Sequence, residues 1–176
     1  IISLGSEKDL SEDCKTNFRI LKELSSHRKN LKIKSYKSIK DINWLKDCNI
    51  IIDAILGSGF VGQLKEPYSS IINSLNKISA YKAAIDVPTG LNADTGFGDL
   101  VFNSDLTVTL GEFKKGLFIG NGYEFCGEVV LKEIGVGRDY FDDIDPDAYL
   151  IEPEDVLESL PKRGKTVHKY SAGKVL

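Results

Sequence analysis

The stretch KAAIDVPTGLNADTG, residues 82–96, decides how the rest of the chain is read. Small and apolar residues run from Ala83 to Ile85 and stop at an acid, Asp86. Pro88, Thr89 and Gly90 follow, and two more polar groups, Asn92 and Asp94, precede Gly96. Ala83, Ala84 and Ile85 read as the end of a buried strand, so Asp86 stands where that strand leaves the core. A carboxylate there either opens an Asx turn or does chemistry. Near the core its desolvation is costly unless a partner offsets it.

The segment IIIDAILGSGFVGQ, residues 50–63, has the same style. Its unbroken apolar run predicts a strand buried on both faces of a parallel sheet. Asp53 falls near the strand end, and Gly57, Gly59 and Gly62 follow. Glycines permit positive φ and let backbone approach a ligand closely. Exposed N–H groups in such a loop can hold anionic oxygen, phosphate included. Alone, GSGFVG fits an ordinary glycine-rich turn. It lacks the Gly-Lys-Ser/Thr of a Walker A loop, and it does not follow the first strand with dinucleotide-fingerprint spacing. Asp53 alone fits a satisfied strand-end acid. Two such ends on neighbouring parallel strands would bring Asp53, Thr89 and Asp86 near each other, which points to a site. A bound cation or a substrate proton would offset the buried charge. In TLGEFKKGLF, residues 109–118, Lys114 and Lys115 enter a turn after another strand. One of them could reach a phosphate or carboxylate at the same edge, or the turn is simply solvated.

Outward from these segments, Ile1–Leu4 reads as a short strand. A helix starts near Ser11, with Phe18, Leu21 and Leu24 at helical spacing. LKIKSY, residues 31–36, alternates like an edge or half-buried strand, and DINWLKDCN, residues 41–49, is a short helical segment. Residues 67–79 form an amphipathic helix with Pro67 in its first turn and Ile71, Ile72 and Leu75 on one face. Residues 81–87, 105–110 and 127–134 complete the strands. This alternation predicts an α/β fold with a mostly parallel sheet. Right-handed crossovers place the strand ends on one edge, and ligands of such folds bind beyond those carboxyl ends.

The 176 residues suffice for one ordinary domain with a real core. A net charge of −3 gives no electrostatic reason to expect nucleic acid or an anionic membrane as partner. The apolar runs are too short to span a bilayer. Three widely spaced cysteines, Cys14, Cys48 and Cys126, suit neither a disulfide framework nor a zinc site. They favour a reducing, cytoplasmic setting, with Cys126 a small packed residue. The chain contains no Met, and its ends, IISLG and GKVL, read as cut within a longer polypeptide. The acid-rich stretch from Asp139 to Asp155 reads as a linker or domain edge.

DAILGSGFVGQLKEPYSSIINSLN, AIDVPTGLNADTG, TVTLGEFKKGLF and GEVVLKEIGV together resemble the NAD(P)H-hydrate epimerase family, the YjeF N-terminal domain. The resemblance runs roughly from Ile1 to Val136. It implies a Rossmann-like, three-layer α/β/α fold, usually dimeric, that interconverts the R and S forms of NADH hydrate and NADPH hydrate. It also implies roles residue by residue. Asp86 matches the family's acid–base residue, and Asp53 and the Thr89 hydroxyl match its potassium ligands. Gly57, Ser58, Gly59, Phe60, Val61, Gly62 and Gln63 match the loop holding the substrate's phosphates. Lys114 matches the basic residue of the later turn. The family's Asn-Asn-Gly-Gly-Asp loop has no counterpart here, and IISLG aligns with the family's second strand.

LPKRGKTVHKYSAGKVL, residues 160–176, resembles the opening of the ADP- or ATP-dependent NAD(P)H-hydrate dehydratase, with His168, Lys169, Ser171 and Gly173 on its His-Lys-x-x-x-Gly run. The organisation this implies is an epimerase domain over 1–152, with its N-terminal part missing. Residues 153–176 would be a linker and the start of a ribokinase-like domain. The alternative is a non-catalytic nucleotide-binding or scaffold module of the same fold.

Overall fold

The structure, a computed structural model, describes residues 1–137, 140 and 144–160. The chain divides into two compact units, Ile1–Phe141 and Asp142–Leu176. In the first unit all strand pairings are parallel. A two-stranded sheet joins β1 (Ile2–Ser3) to β2 (Lys34–Ser35). A four-stranded sheet has the order β3 (Ile50–Asp53), β4 (Tyr81–Ile85), β5 (Leu106–Leu110), β6 (Glu128–Lys132). This is the α/β architecture predicted above, and because all four strands run the same way their carboxyl ends share one edge.

Helix α1 spans Glu12–His27, where Ser11 caps the Cys14 N–H and Glu12 and Asp13 occupy the positive end of the dipole. Phe18 and Leu21 are half-buried, while Ile20 and Leu24 are exposed, so α1 buries no residue fully. The expected short helical segment of residues 41–49 is a 3₁₀ helix, Ile39–Asp47, that buries only Ile42. Helix α2, Tyr68–Asn76, packs the predicted stripe of Ile71, Ile72 and Leu75 against Ile51, Ala84 and Phe102. Asn76 then fastens it to the next loop. Its amide donates to the Val101 carbonyl at 2.7 Å and its oxygen accepts the Asn103 N–H at 2.9 Å. A short helix, α3 (Gly122–Phe125), leads into β6.

The segment from Asp86 to Asp105, between β4 and β5, holds no helix and makes a second small core. Val87, Leu91, Ala93 and Val101 pack there with Leu117 and Cys126, which is fully buried as its size suggested. Within it Asn92 is a structural residue. Its side-chain oxygen accepts the Asp94 N–H, the Thr95 N–H and the Thr95 hydroxyl. That is the Asx turn of this stretch, and it lies six residues after Asp86.

One expectation needs correction. β3 is not buried on both faces: Ile51 and Asp53 are buried, but Ile50 and Ile52 are 60% and 64% exposed. Apolar composition reports what a strand can bury. Actual burial needs a covering layer, and α2 with the 86–105 segment covers one face. In the second unit, helix α4 (Pro153–Ser159) starts with Pro at its first turn and a capping box between Glu152 and Asp155. Residues His168, Lys169, Ser171 and Gly173 lie outside the described residues.

Candidate active site

Parallel pairing of β3 with β4 sets Asp53 opposite Ala84, so the two acids project from adjacent strand ends. They belong to two small clusters rather than one.

The first cluster is Asp53 with Thr89. Both are essentially buried, at 2% and 1% exposed. Thr89 donates its N–H to Asp53 Oδ2 and its hydroxyl to Asp53 Oδ1, each at 2.8 Å. Ile55 N–H adds a third bond to Oδ1, and the Thr89 hydroxyl in turn accepts the Leu56 N–H at 3.1 Å. Burial pushes the Asp53 carboxyl above the ordinary carboxylate range, against the bonds from Thr89 and Ile55 that favour its charge. No basic side chain bonds to Asp53 among the described residues. Carboxylate and hydroxyl oxygens alone suit a hard cation. No group of three His, Cys, Asp or Glu side chains suited to a metal is present among the described residues.

The second cluster is Asp86 with Lys114 and the glycine loop. Asp86 has φ of +70°, the only non-glycine residue in the left-handed region among those described. L-residues with a Cβ adopt that region rarely and at a cost, and such strain gathers at functional sites. The backbone turns tightly there, closed by the Val87 N–H donating to the Ile85 carbonyl at 3.0 Å. The turn swings the carboxylate away from its own chain. Oδ2 accepts the Ser58 N–H at 3.2 Å, from the glycine loop 28 residues earlier. Oδ1 is buried and faces the Lys114 ammonium at 2.7 Å. Burial opposes the Asp86 charge, but the bond and charge of Lys114, with the Ser58 and Leu110 backbones, outweigh it. They hold the carboxyl below its ordinary range. Asp86 is therefore not an Asx-turn residue. It is a carboxylate kept ionised at a strained strand end.

The glycine loop bridges the two clusters. The Leu56 N–H bonds to Thr89, and the Ser58 N–H two residues on bonds to Asp86. A Cβ added at Gly57 would lie 3.2 Å from Asp86 Oδ2, a tight contact that would press on the carboxylate. Gly57, Ser58, Gly59, Val61, Gly62 and Gln63 are exposed and Phe60 is half-buried. Of this loop the Ser58 N–H meets the Asp86 carboxylate, while the Phe60 N–H turns back to the Gly57 carbonyl. Gln63 is tied down by a residue that sequence reading passed over: its amide donates to Asp99 Oδ2 at 2.7 Å. The available signal was GFGD, residues 96–99, an acid in a second glycine turn.

With this geometry in place the chain can be set among known proteins. Residues 1–116 match the family model described as YjeF-related protein N-terminus, and the chain belongs to that family. It is 42% identical over 130 residues to the bifunctional NAD(P)H-hydrate repair enzyme Nnr of Archaeoglobus fulgidus, covering 74% of this chain and 26% of that protein. It is 38% identical over 128 residues to the enzyme of the same name from Coxiella burnetii, covering 72% and 26%. An NAD(P)H-hydrate epimerase of Elusimicrobium minutum is 38% identical over 106 residues, covering 59% and 47%. The chain thus spans about a quarter of the length of the bifunctional relatives. The crystal structure of the yeast protein YNL200c superposes with a TM-score of 0.57 at 21% identity, over 84% of this chain and 61% of that one, which supports the fold.

Proposed function

We propose that this chain inverts C6 of hydrated NADH and NADPH, interconverting their R and S forms. In this reading residues 1–152 are the epimerase domain. Residues 153–176 lead into a ribokinase-like dehydratase half that uses ADP or ATP. The observation that carries the reading is Asp86: an ionised carboxylate, held by strained backbone at a strand's carboxyl end, with one oxygen facing a glycine-rich loop.

Inverting C6 requires the hydroxyl to leave and return, or the ring to open and close. Either route is redox-neutral and needs a proton given and taken back by a positioned group. Asp86 is that group, and its ionised resting state makes it a base first. The N–H groups of Gly57 to Gln63 offer a cradle for the substrate's phosphates next to it. Asp53 and Thr89 would hold potassium with their hard oxygens. When bound, the ion would supply a fixed positive charge at that pair. Three free cysteines, one of them exposed, are consistent with a reducing cytoplasm. No helix among the described residues is long and apolar enough to cross a membrane. We take the working form to be a homo-oligomer with neither nucleic acid nor membrane as partner.

The test is epimerisation of separated R and S hydrates by the full-length protein, followed by chiral chromatography. Asp86→Asn keeps the shape and removes the base, and its rate should fall by about 10²–10⁴-fold. A variant that epimerises at the parent rate overturns the assignment.

A further inference from the structure

The Lys114 ammonium makes two contacts. It meets the buried Oδ1 of Asp86 at 2.7 Å, and it donates to the carbonyl of Leu110, the last residue of β5. One of its donors is thus committed to a backbone carbonyl, and its charge is paired with Oδ1 inside the protein. Both side chains of the pair are largely shielded, at 20% and 18% exposed. The pairing is therefore screened less than a surface ion pair. Oδ2 is different. It accepts one long bond from the Ser58 N–H and lies against the open backbone at Gly57. The two oxygens of one carboxylate are thus made inequivalent by their surroundings.

We propose that Lys114 is a positioning residue for Asp86, clamping Oδ1 to the end of β5 so that Oδ2 alone exchanges the proton with substrate. This rests on the epimerase reading. Carboxylate torsions are broad and soft, so without the clamp either oxygen could turn toward the loop. With it, the reacting lone pair keeps one direction. Oδ2 takes the proton of the C6 hydroxyl as the C6–N1 bond breaks and a carbonyl forms at C6, and it gives that proton to N1. Ring closure on the opposite face runs the same transfers in reverse, so no electrons change hands. The role differs from a phosphate anchor, for which an ammonium already bound to a carboxylate and a carbonyl is poorly placed.

Lys114→Met and Lys114→Arg, made in the full-length protein, separate the two roles. The Met variant should lose at least tenfold in kcat with KM within twofold of the parent. Its acid limb in the pH–rate profile should move to higher pH. A carbon-13 carboxyl titration of Asp86, read without substrate, should move the same way. The Arg variant keeps the charge and should return the limb toward the parent position, which covers the case of a poorly folded Met variant. A tenfold rise in KM with kcat and the limb unchanged would make Lys114 a substrate anchor and overturn the proposal. An unmoved Asp86 titration in Lys114→Met would overturn it as well. If the parent protein does not epimerise the separated hydrates, the epimerase reading itself fails. Asp86→Asn is the reference variant, and if it is fully active, Asp86 is not the base and the clamp has nothing to position. If it is inactive while Lys114→Met alters KM alone, only the clamp fails.

Discussion

Replacing Thr89 by Val tests whether the floor of the site is held by one hydroxyl. Thr89 is 1% exposed, and Val keeps its branched shape, so no cavity opens. What disappears is a two-way bond. The hydroxyl donates to Asp53 Oδ1 at 2.8 Å and accepts the Leu56 N–H at 3.1 Å. The Leu56 N–H loses that partner, and buried Oδ1 keeps only the Ile55 N–H. Each group left short costs about 1–3 kcal/mol, so Thr89→Val should lose roughly 3 kcal/mol. For a domain of this size that is a fall in Tm of about 6–12 °C. Thr89→Ser keeps the hydroxyl and loses one methyl, with an expected cost of about 1 kcal/mol. Urea unfolding followed by circular dichroism measures both, with the m-value unchanged if only the native state is affected. If Thr89→Val unfolds at the same urea concentration as Thr89→Ser, the hydroxyl does not hold Asp53 and the reasoning fails.

Four other outcomes are expected. Gly90 has φ of +98° and an added Cβ would stand 2.1 Å from the Leu100 carbonyl oxygen, so Gly90→Ala should cost about 3 kcal/mol from backbone strain plus overpacking. Gly59→Ala, with nothing within 4 Å, should be near neutral in the same denaturation assay, and equal losses would refute the packing of that turn. The Asp86 carboxyl is held below its ordinary value of 3.8, so its contribution to stability is complete above that value and is lost as pH falls through the lower folded value. Unfolding measured from neutral to acid pH should therefore show a flatter acid loss for Asp86→Asn than for the parent, and parallel curves would contradict the ion pair. Burial pushes the Cys126 thiol up to about 11, whereas Cys14 is exposed. A thiol reagent at mild alkaline pH should modify native Cys14 first and reach Cys126 only on unfolding, with peptide mapping as the readout.

Much of this was legible along the chain. Ile71, Ile72 and Leu75 recur at helical spacing and are the buried face of α2, because burial within one element follows its own period. The acids at 53 and 86 stand out because a charge that ends an apolar run must leave the core or find a partner. Periodicity also misled: the Ile50–Ile52 run satisfied the pattern of a doubly covered strand, yet covering is supplied by other elements.

From the amino-acid order alone come the two acidic strand ends flanked by glycine turns, which depend on neighbours within one element, and the α/β class with parallel strands, which follows from the alternation of elements along the chain. Only the folded chain decides that Asp53 takes Thr89, 36 residues away, while Asp86 takes Lys114 and Ser58. It alone sets Asp86 in the left-handed backbone and brings Asp99 to Gln63. The physical reason is that hydrogen bonds act over about 3 Å. Strand register and turn geometry determine which distant groups come within that reach, and neither is written in any single segment.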